Sequence, residues 1–328
     1  MKNPSYDYFA NLWKTQRDSF NGEQAIKNPA GDRDAKFYLP MTNGQAAMSD
    51  RNLAEAMYNS YLWSADFPEW LQENVSSLSG MIFQDKPKAT LAKAIDYLER
   101  EATRTGESLD SVVRSINRKQ LIEGRVLVLL DVNEEGDTVE LWQYDALSIL
   151  DWHCDEYGRL QSVLLDESGK VFNGNEWVMQ NRFRIVGVDV NGNYYHWTTD
   201  DPEDIKGFDY YNPQDAVFPM LRGKLFAGLP AVIFNSVDLN ADPSTPILMP
   251  VTEAALKAYG NSASLQRGLK NCSEPTLVTI GVTVPEGSEI VIGSTASLDI
   301  SNPDSNADVK YLEVSGVGLD KQQESLEQ

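Results

Sequence analysis

The stretch from Thr252 to Tyr311 most narrows what this chain can fold into. VTEAALKAYGNSASLQRGLKNC predicts a single helix, with the Thr252 side chain as N-cap, Glu253 in the first turn and Lys270 near the end, where the helix dipole favours a cation. Ser273-Glu274-Pro275 stops it. At ~1.5 Å per residue, about twenty residues span roughly 30 Å, long for an element that leads directly into short strands. Its apolar side is Leu256, Tyr259, Ala263 and Leu269; much of the remainder is small, which lets a neighbouring helix approach closely. An ordinary helix lying on a sheet is the plain alternative. PTLVTIGVTVPEGSEIVIGSTASLDI then reads as short strands, broken at Pro285-Glu286-Gly287 and Gly293-Ser294. VKYLEVSGVGL returns as one more strand, and Asp320 is placed to cap a second helix in DKQQESLEQ. A long helix, a strand-rich tip and a returning helix make a projection from a body formed by residues 1 to 240.

That body has two halves. Tyr8, Phe9, Leu12, Trp13 and Phe20 give residues 4–20 helical periodicity, ended by Asn21-Gly22, and a loop follows through Pro29, Gly31 and Pro40. SDRNLAEAMYNSYLW is a helix with Ser49 as its expected cap, and Pro68 starts another segment, PEWLQENVSSLSGMIF. LAKAIDYLEREAT and SLDSVVRSINRKQLIEG read as two further helices, the second capped by Ser108 and stopped at Gly124. From Arg125 the period changes to 2 or to continuous apolar runs. RVLVLLDV, TVELWQYD, LQSVLLDE and GLPAVIFNSVDL read as strands, and FRIVGVDVNGNYYHWTT as a hairpin around Asn191-Gly192. Asp200 to Asp204 reads as a loop, and Asp238 to Pro250 as the linker before the long helix.

Neither GxxxxGK[ST], GxGxxG nor GxSxG occurs, and Gly316-Val317-Gly318 is only a strand-to-helix turn. The two histidines, His153 and His196, lie in strand context beside bulky aromatics. His153 and Cys154 are adjacent, so on a strand they point to opposite faces and make a poor base–nucleophile pair. Cys154 and Cys272 are far apart without CxxC spacing, so neither a disulfide framework nor a zinc site is indicated. Asp189-Val190-Asn191-Gly192-Asn193 resembles an EF-hand opening with its glycine misplaced, and a hairpin turn explains it better. Asp200, Asp201, Glu203 and Asp204 offer carboxylates to a cation, and an exposed loop beside Pro202 is the ordinary account. No catalytic residue, metal or cofactor is expected. Forty-nine acidic against 28 basic residues give a net charge of -21, spread along the chain, which disfavours surface binding to nucleic acid by charge neutralisation. The polar start MKNPSYDYFANLWK is unlike a signal peptide, and no run approaches ~20 apolar residues, so a soluble cytoplasmic chain is the default expectation.

In this order the segments resemble the portal proteins of tailed bacteriophages, in the form common in prophages. The stretches that carry the resemblance are YDYFANLWKTQRD, NGEQAIKNPAGDRDAKFYLP, SSLSGMIFQDKP, QLIEGRVLVLLDV, QYDALSILDW, GLPAVIFN, ALKAYGNSASLQRGLKNCSEPTLVTIG and VKYLEVSGVGL, which together cover nearly the whole chain. No single motif is diagnostic; the order of weak motifs carries the specificity. The resemblance implies an α+β fold: a wing over 1–245, mainly helical over 1–124 and mainly strand over 125–245; a linker and first stem helix over 246–271; a strand-rich clip over 272–312; and the start of a second stem helix over 313–328. The family continues into a tunnel loop, a wing return and a crown, so this sequence is expected to lack the family's C-terminal part.

The implied function is a structural subunit of a ring, usually a homododecamer, at one capsid vertex, which passes double-stranded DNA during packaging and ejection. The implied partners are further copies of the chain, terminase, the major capsid protein, head-completion or connector proteins, and transiting DNA without sequence specificity. No membrane is involved, and the implied location is the virion after assembly in the host cytoplasm. An acidic subunit suits a channel that must pass a polyanion without binding it, with a few cations guiding the backbone. Arg267 and Lys270 share a helix face, with Lys257 further back, and these three are the DNA-channel candidates; a role in solubility or in pairing with acids of an adjacent subunit is the plainer account. Glu286 and Glu289, on the strand tip, are the partner-docking candidates, against a simple exposed turn. An acidic head–tail connector or other virion binding module without a DNA channel is the alternative reading.

Overall fold

The computed structural model describes residues 2–31, 33–85, 87–133, 135–273, 276–280 and 308–312, with the backbone course alone for 271–273, 276–280 and 308–312. α1, Tyr6–Phe20, ends where the Asn21 N–H bonds back to the Arg17 and Ser19 carbonyls. Short α2, Glu23–Lys27, and α3, Asn43–Ala46, occupy the ends of the predicted loop, and α3 opens on a capping box between Thr42 and Gln45. α4, Arg51–Ser64, is capped by Asp50 rather than by Ser49: its carboxylate accepts from the Asn52 and Leu53 N–H groups at 3.0 and 3.1 Å, and its charge complements the helix dipole. α5 spans Trp70–Ile82.

LAKAIDYLEREAT is not the helix expected; only the 3-10 turn Asp96–Glu99 forms. Its backbone bonds elsewhere. Leu141 N donates to Ala102 O at 2.7 Å, Ala102 N donates to Glu107 O at 2.6 Å, and the Tyr97 hydroxyl bonds both the N–H and the carbonyl of Val139. These long-range bonds replace the i,i+4 ladder that the periodicity predicts. α6, Leu109–Glu123, matches expectation at both ends, with Ser108 accepting from Ser111 N and Gly124 at φ 72° closing it in the left-handed region that glycine enters freely.

The strands begin at Arg125, as predicted: β1 (Arg125–Val132), β2 (Val139–Asp145), β3 (Ile149–Cys154), β4 (Leu160–Asp166), β5 (Gly169–Phe172), β6 (Trp177–Gln180), β7 (Phe183–Val188) and β8 (Tyr194–Thr199). α7, Pro202–Lys206, corrects the loop expected at Asp200 to Asp204: Asp201 caps it, and Pro202 sits in the first turn, where a missing N–H costs nothing. β9 (Met220–Leu221), β10 (Lys224–Leu225) and β11 (Ala231–Asn235) precede α8, Met249–Ser273. β12 (Thr276–Ile280) pairs antiparallel with β13 (Asp308–Leu312), so the helix does lead into a strand pair; the turns expected at Pro285 and Gly293, Gly316-Val317-Gly318 and the helix expected from Asp320 lie outside the described residues. The fold is α+β, and among the described residues every strand pairing is antiparallel.

Two compact units divide the chain, Met1–Ile26 with Glu69–Ala255, and Lys27–Pro68 with Leu256–Gln328. In the first, the sheets β11-β1-β2 and β3-β4-β7-β8 face each other across Leu127, Leu129, Ile149, Val163, Leu165, Val186 and Ile233. Alternate residues of the second sheet, Leu150, Leu164, Ile185 and Tyr195, point the other way and pack on Tyr6, Ala10 and Trp13 of α1. A third cluster joins Val112 of α6 to Leu98, Ala102 and Val139. β5–β6 stands apart as a two-stranded sheet with both strands exposed along most of their length. In the second unit, Tyr58, Tyr61, Leu62, Phe67, Tyr259 and Ala263 are buried.

Candidate functional site

α8 starts three residues before Thr252, because Pro250 fits a first turn and the Thr252 hydroxyl has another partner, donating to Gln16 Oε1 at 2.8 Å; the expected cap is therefore an interior, buried residue. Ala255, Tyr259, Ala263 and Leu265 form its buried stripe. Leu269, expected on that stripe, is 43% exposed, and Leu265 takes its place. Tyr259 meets Phe67 edge-on with centroids 5.8 Å apart, and Ser262 Oγ accepts from Asp66 N at 3.1 Å.

The structure brings Arg267 and Lys270 together in a pocket of about 140 Å³ with Met57, Ser60 and Tyr61 of α4. Lys270 Nζ donates to Ser60 Oγ at 3.1 Å, and Arg267 is half-buried. Lys257 is exposed and lies outside that pocket, since ten residues at 3.6 per turn rotate it about 80° from Arg267. Glu286 and Glu289 lie outside the described residues.

Sequence reasoning missed the most strongly charged interior of the first unit. Arg184 on β7 is buried and pairs with Asp131 on β1, with Glu167 3.7 Å away; Tyr144 donates to Glu167 at 2.7 Å, and Arg182 pairs with Glu167 at 3.1 Å. Burial opposes the Arg184 charge, but Tyr144, Asp131 and Tyr194 outweigh it and raise its pKa above the ordinary value. Burial raises the Tyr144 pKa, so its hydroxyl stays a donor. This cluster opens on a cavity of about 400 Å³ also lined by Arg104, Trp142 and His196. His196 is half-buried, and its pKa is lowered by burial first and by Arg184 next, so the ring is held neutral more firmly than usual. The sequence signal was a charged residue inside each strand run: Asp131 is the penultimate residue of RVLVLLDV, and Arg184 is the second residue of FRIVGV. At the start of β1, Arg125 is fully buried with its guanidinium 4.1 Å from the Trp152 ring centroid; burial lowers its pKa to about 9.

His153 and Cys154 do not form a couple. His153 is exposed, with Nε2 3.3 Å from the Tyr211 hydroxyl, whereas Cys154 is half-buried, and burial pushes its thiol pKa up, away from a nucleophilic thiolate. Cys272 lies where the backbone alone is described. Asp189 serves the β7–β8 turn: one carboxylate oxygen accepts from Asn191 N and Asn193 N at 2.9 and 2.8 Å. Slight desolvation raises its pKa, but bonds from Asn193 and Asn191 outweigh that and hold it below the usual carboxylate range. Asp204 accepts from Thr199 Oγ1, and Glu203 pairs with Lys206 at 2.8 Å. Among the described residues, no group of three or more His, Cys, Asp or Glu side chains is placed to hold a metal, and no helix is long and apolar enough to cross a membrane.

Residues 248–328 match a domain of unknown function, DUF4055, and the match begins one residue before α8. No curated protein matches the chain. Among solved structures, the chain is similar to one described as the neck of an empty GTA particle computed with C6 symmetry, at 12% identity and a TM-score of 0.35. The similarity covers 78% of this chain and 63% of that one, so this chain spans less than two thirds of it.

Proposed function

We propose that this chain is a structural virion subunit of the portal type, assembling as a ring at the capsid vertex that passes double-stranded DNA and docks terminase and connector proteins. The observation that carries the reading is the order of elements. A helical stretch and antiparallel sheets lead into the 25-residue α8, which runs into a strand pair whose members are separated by residues 281–307. Such a helix is about 37 Å long, a scale suited to a channel wall rather than to a small ligand pocket. The resemblance of ordered segments along the chain supports the same reading. In it, Arg267 and Lys270 guide the DNA backbone from a helix that also packs on α4, and the net charge of -21 keeps most of the surface from holding the polyanion.

The first measurement is the native mass of the purified chain, with particle images of the dominant peak. Twelve copies of 36.6 kDa weigh roughly 440 kDa, and a ring with a central hole at that mass is the expected result. A monomeric chain, or an oligomer without a hole, would overturn the reading. Reversing charge at Arg267 and Lys270 is expected to slow DNA packaging with the ring intact; unchanged packaging would remove these two from the channel.

A further inference from the structure

We infer that the β5–β6 hairpin is an intersubunit arm, whose occupant is the cavity beside α6 on a second copy of this chain. The inference deepens the ring reading by assigning it a contact. An isolated two-stranded hairpin is marginally stable in water at best, and it gains stability when a hydrophobic face is covered. Here Phe172, Trp177 and Met179 are 52%, 69% and 67% exposed. Phe172 and Trp177 are cross-strand partners with ring centroids 5.6 Å apart, and the Lys170–Met179 pair lies on the same face. Val171 and Val178, exposed over less than half of their surface, form an apolar pair on the opposite face. These five apolar side chains leave on the order of 500 Å² uncovered, against about 800 Å² per partner in a standard interface.

Charge points to a second copy. Chains carrying -21 repel one another, so self-association needs a locally neutral surface, and residues 169–180 hold one cation, Lys170, and one anion, Glu176. The receiving surface is on the same unit: a cavity of about 540 Å³ with apolar lining from Pro87, Leu109 and Val113, in which the cations Lys88 and Arg100 are balanced by the anions Glu99 and Asp110, so it too is locally neutral. Its volume lies within the range of sites that hold a compact organic group, about 300–1,000 Å³. Lys88 and Arg100 suit the face of an indole, which attracts cations. Arm and cavity are different surfaces, so in a ring the contact is heterologous, each copy's arm entering the next copy's cavity, whereas a reciprocal exchange of arms between two copies would stop at a dimer.

The test uses the full chain with Cys154 and Cys272 replaced by Ser. One tagged version carries Met179→Cys, and a differently tagged one carries Val113→Cys. Mixed and oxidised, they are expected to give a cross-link joining the two tags. Trp177→Glu, with an unchanged circular dichroism spectrum, is expected to move the native mass from oligomer to 36.6 kDa at concentrations where the parent assembles. An assembled Trp177→Glu chain and no mixed cross-link would overturn the arm while leaving the ring reading standing if the parent images as a holed ring. A mixed cross-link on dimers or open chains without a hole would sustain the arm and sink the ring. A parent that is monomeric and forms no mixed cross-link overturns the arm.

Discussion

Two hairpins in the first unit have similar composition and opposite fates. β7–β8 carries Phe183, Ile185, Val186, Tyr194, Tyr195 and Trp197; β5–β6 carries Val171, Phe172, Trp177, Val178 and Met179. In β7–β8 both faces are covered, Val186 and Tyr194 by the facing sheet and Ile185 and Tyr195 by α1. Gly187 shows how tight that packing is: a Cβ there would lie 2.6 Å from the hydroxyl oxygen of its cross-strand partner Tyr195, whose proton goes to Tyr210 O at 2.9 Å. β5–β6 closes on an equally good turn, in which Asn173 Oδ1 accepts from Asn175 N and Glu176 N at 3.0 Å, yet no strand of the larger sheets pairs with it. Strand-forming residues and a sound turn specify a hairpin. Whether it is a core element or an arm depends on what the rest of the chain brings against it.

The comparison breaks most visibly at Arg184, which ties β7 to β1. Arg184→Met leaves Asp131 and Glu167 without their buried cation and is expected to cost about 3–5 kcal/mol, read from the denaturant midpoint; a loss below about 1 kcal/mol would mean that the cluster is already hydrated. Next, Leu165→Ala in the fully buried intersheet core should cost about 2–5 kcal/mol, whereas Val178→Ala on the arm should stay within about 0.5 kcal/mol in the monomeric chain. Equal losses at the two sites would show that the arm folds back onto its own unit. The smallest effect is a slope. The His196 pKa is depressed in the folded chain by burial and then by Arg184, so the unfolded chain takes up the proton first as pH falls. Stability from this group is present above the ordinary histidine pKa of about 6.5 and is lost as pH drops below it. His196→Gln should flatten that limb of a pH–stability curve, and an unchanged slope would place the acid sensitivity elsewhere.

Much of the local structure was legible. Ser108 and Gly124 bound α6, Asn191-Gly192 sits in the β7–β8 turn, and the change of period at Arg125 marks where strands begin, because caps and periodicity act within a few residues. The β5–β6 hairpin was missed although Asn173-Gly174 between apolar alternations is the standard hairpin signal, with Gly174 at φ 99°. At LAKAIDYLEREAT the opposite error occurred: helical spacing was real, but Tyr97 and Ala102 bond to β2 instead. The candidate cations were found from helix arithmetic, which paired Arg267 with Lys270; the serine on α4 that binds Lys270 lies 210 positions away and leaves no local trace.

By itself, then, the sequence determined most of the long helices and core strands, their order and the acidity of the whole chain, since propensity, capping and charge are properties of neighbouring residues or of simple sums. Tertiary structure alone decided that β11 returns to pair with β1, that residues 27–68 share a unit with the chain from Leu256 onward, and that one aromatic hairpin is buried while another is exposed. Those outcomes depend on which distant surfaces meet, and the free energy of meeting comes from apolar area and ion pairs assembled across the chain, which no window of sequence contains.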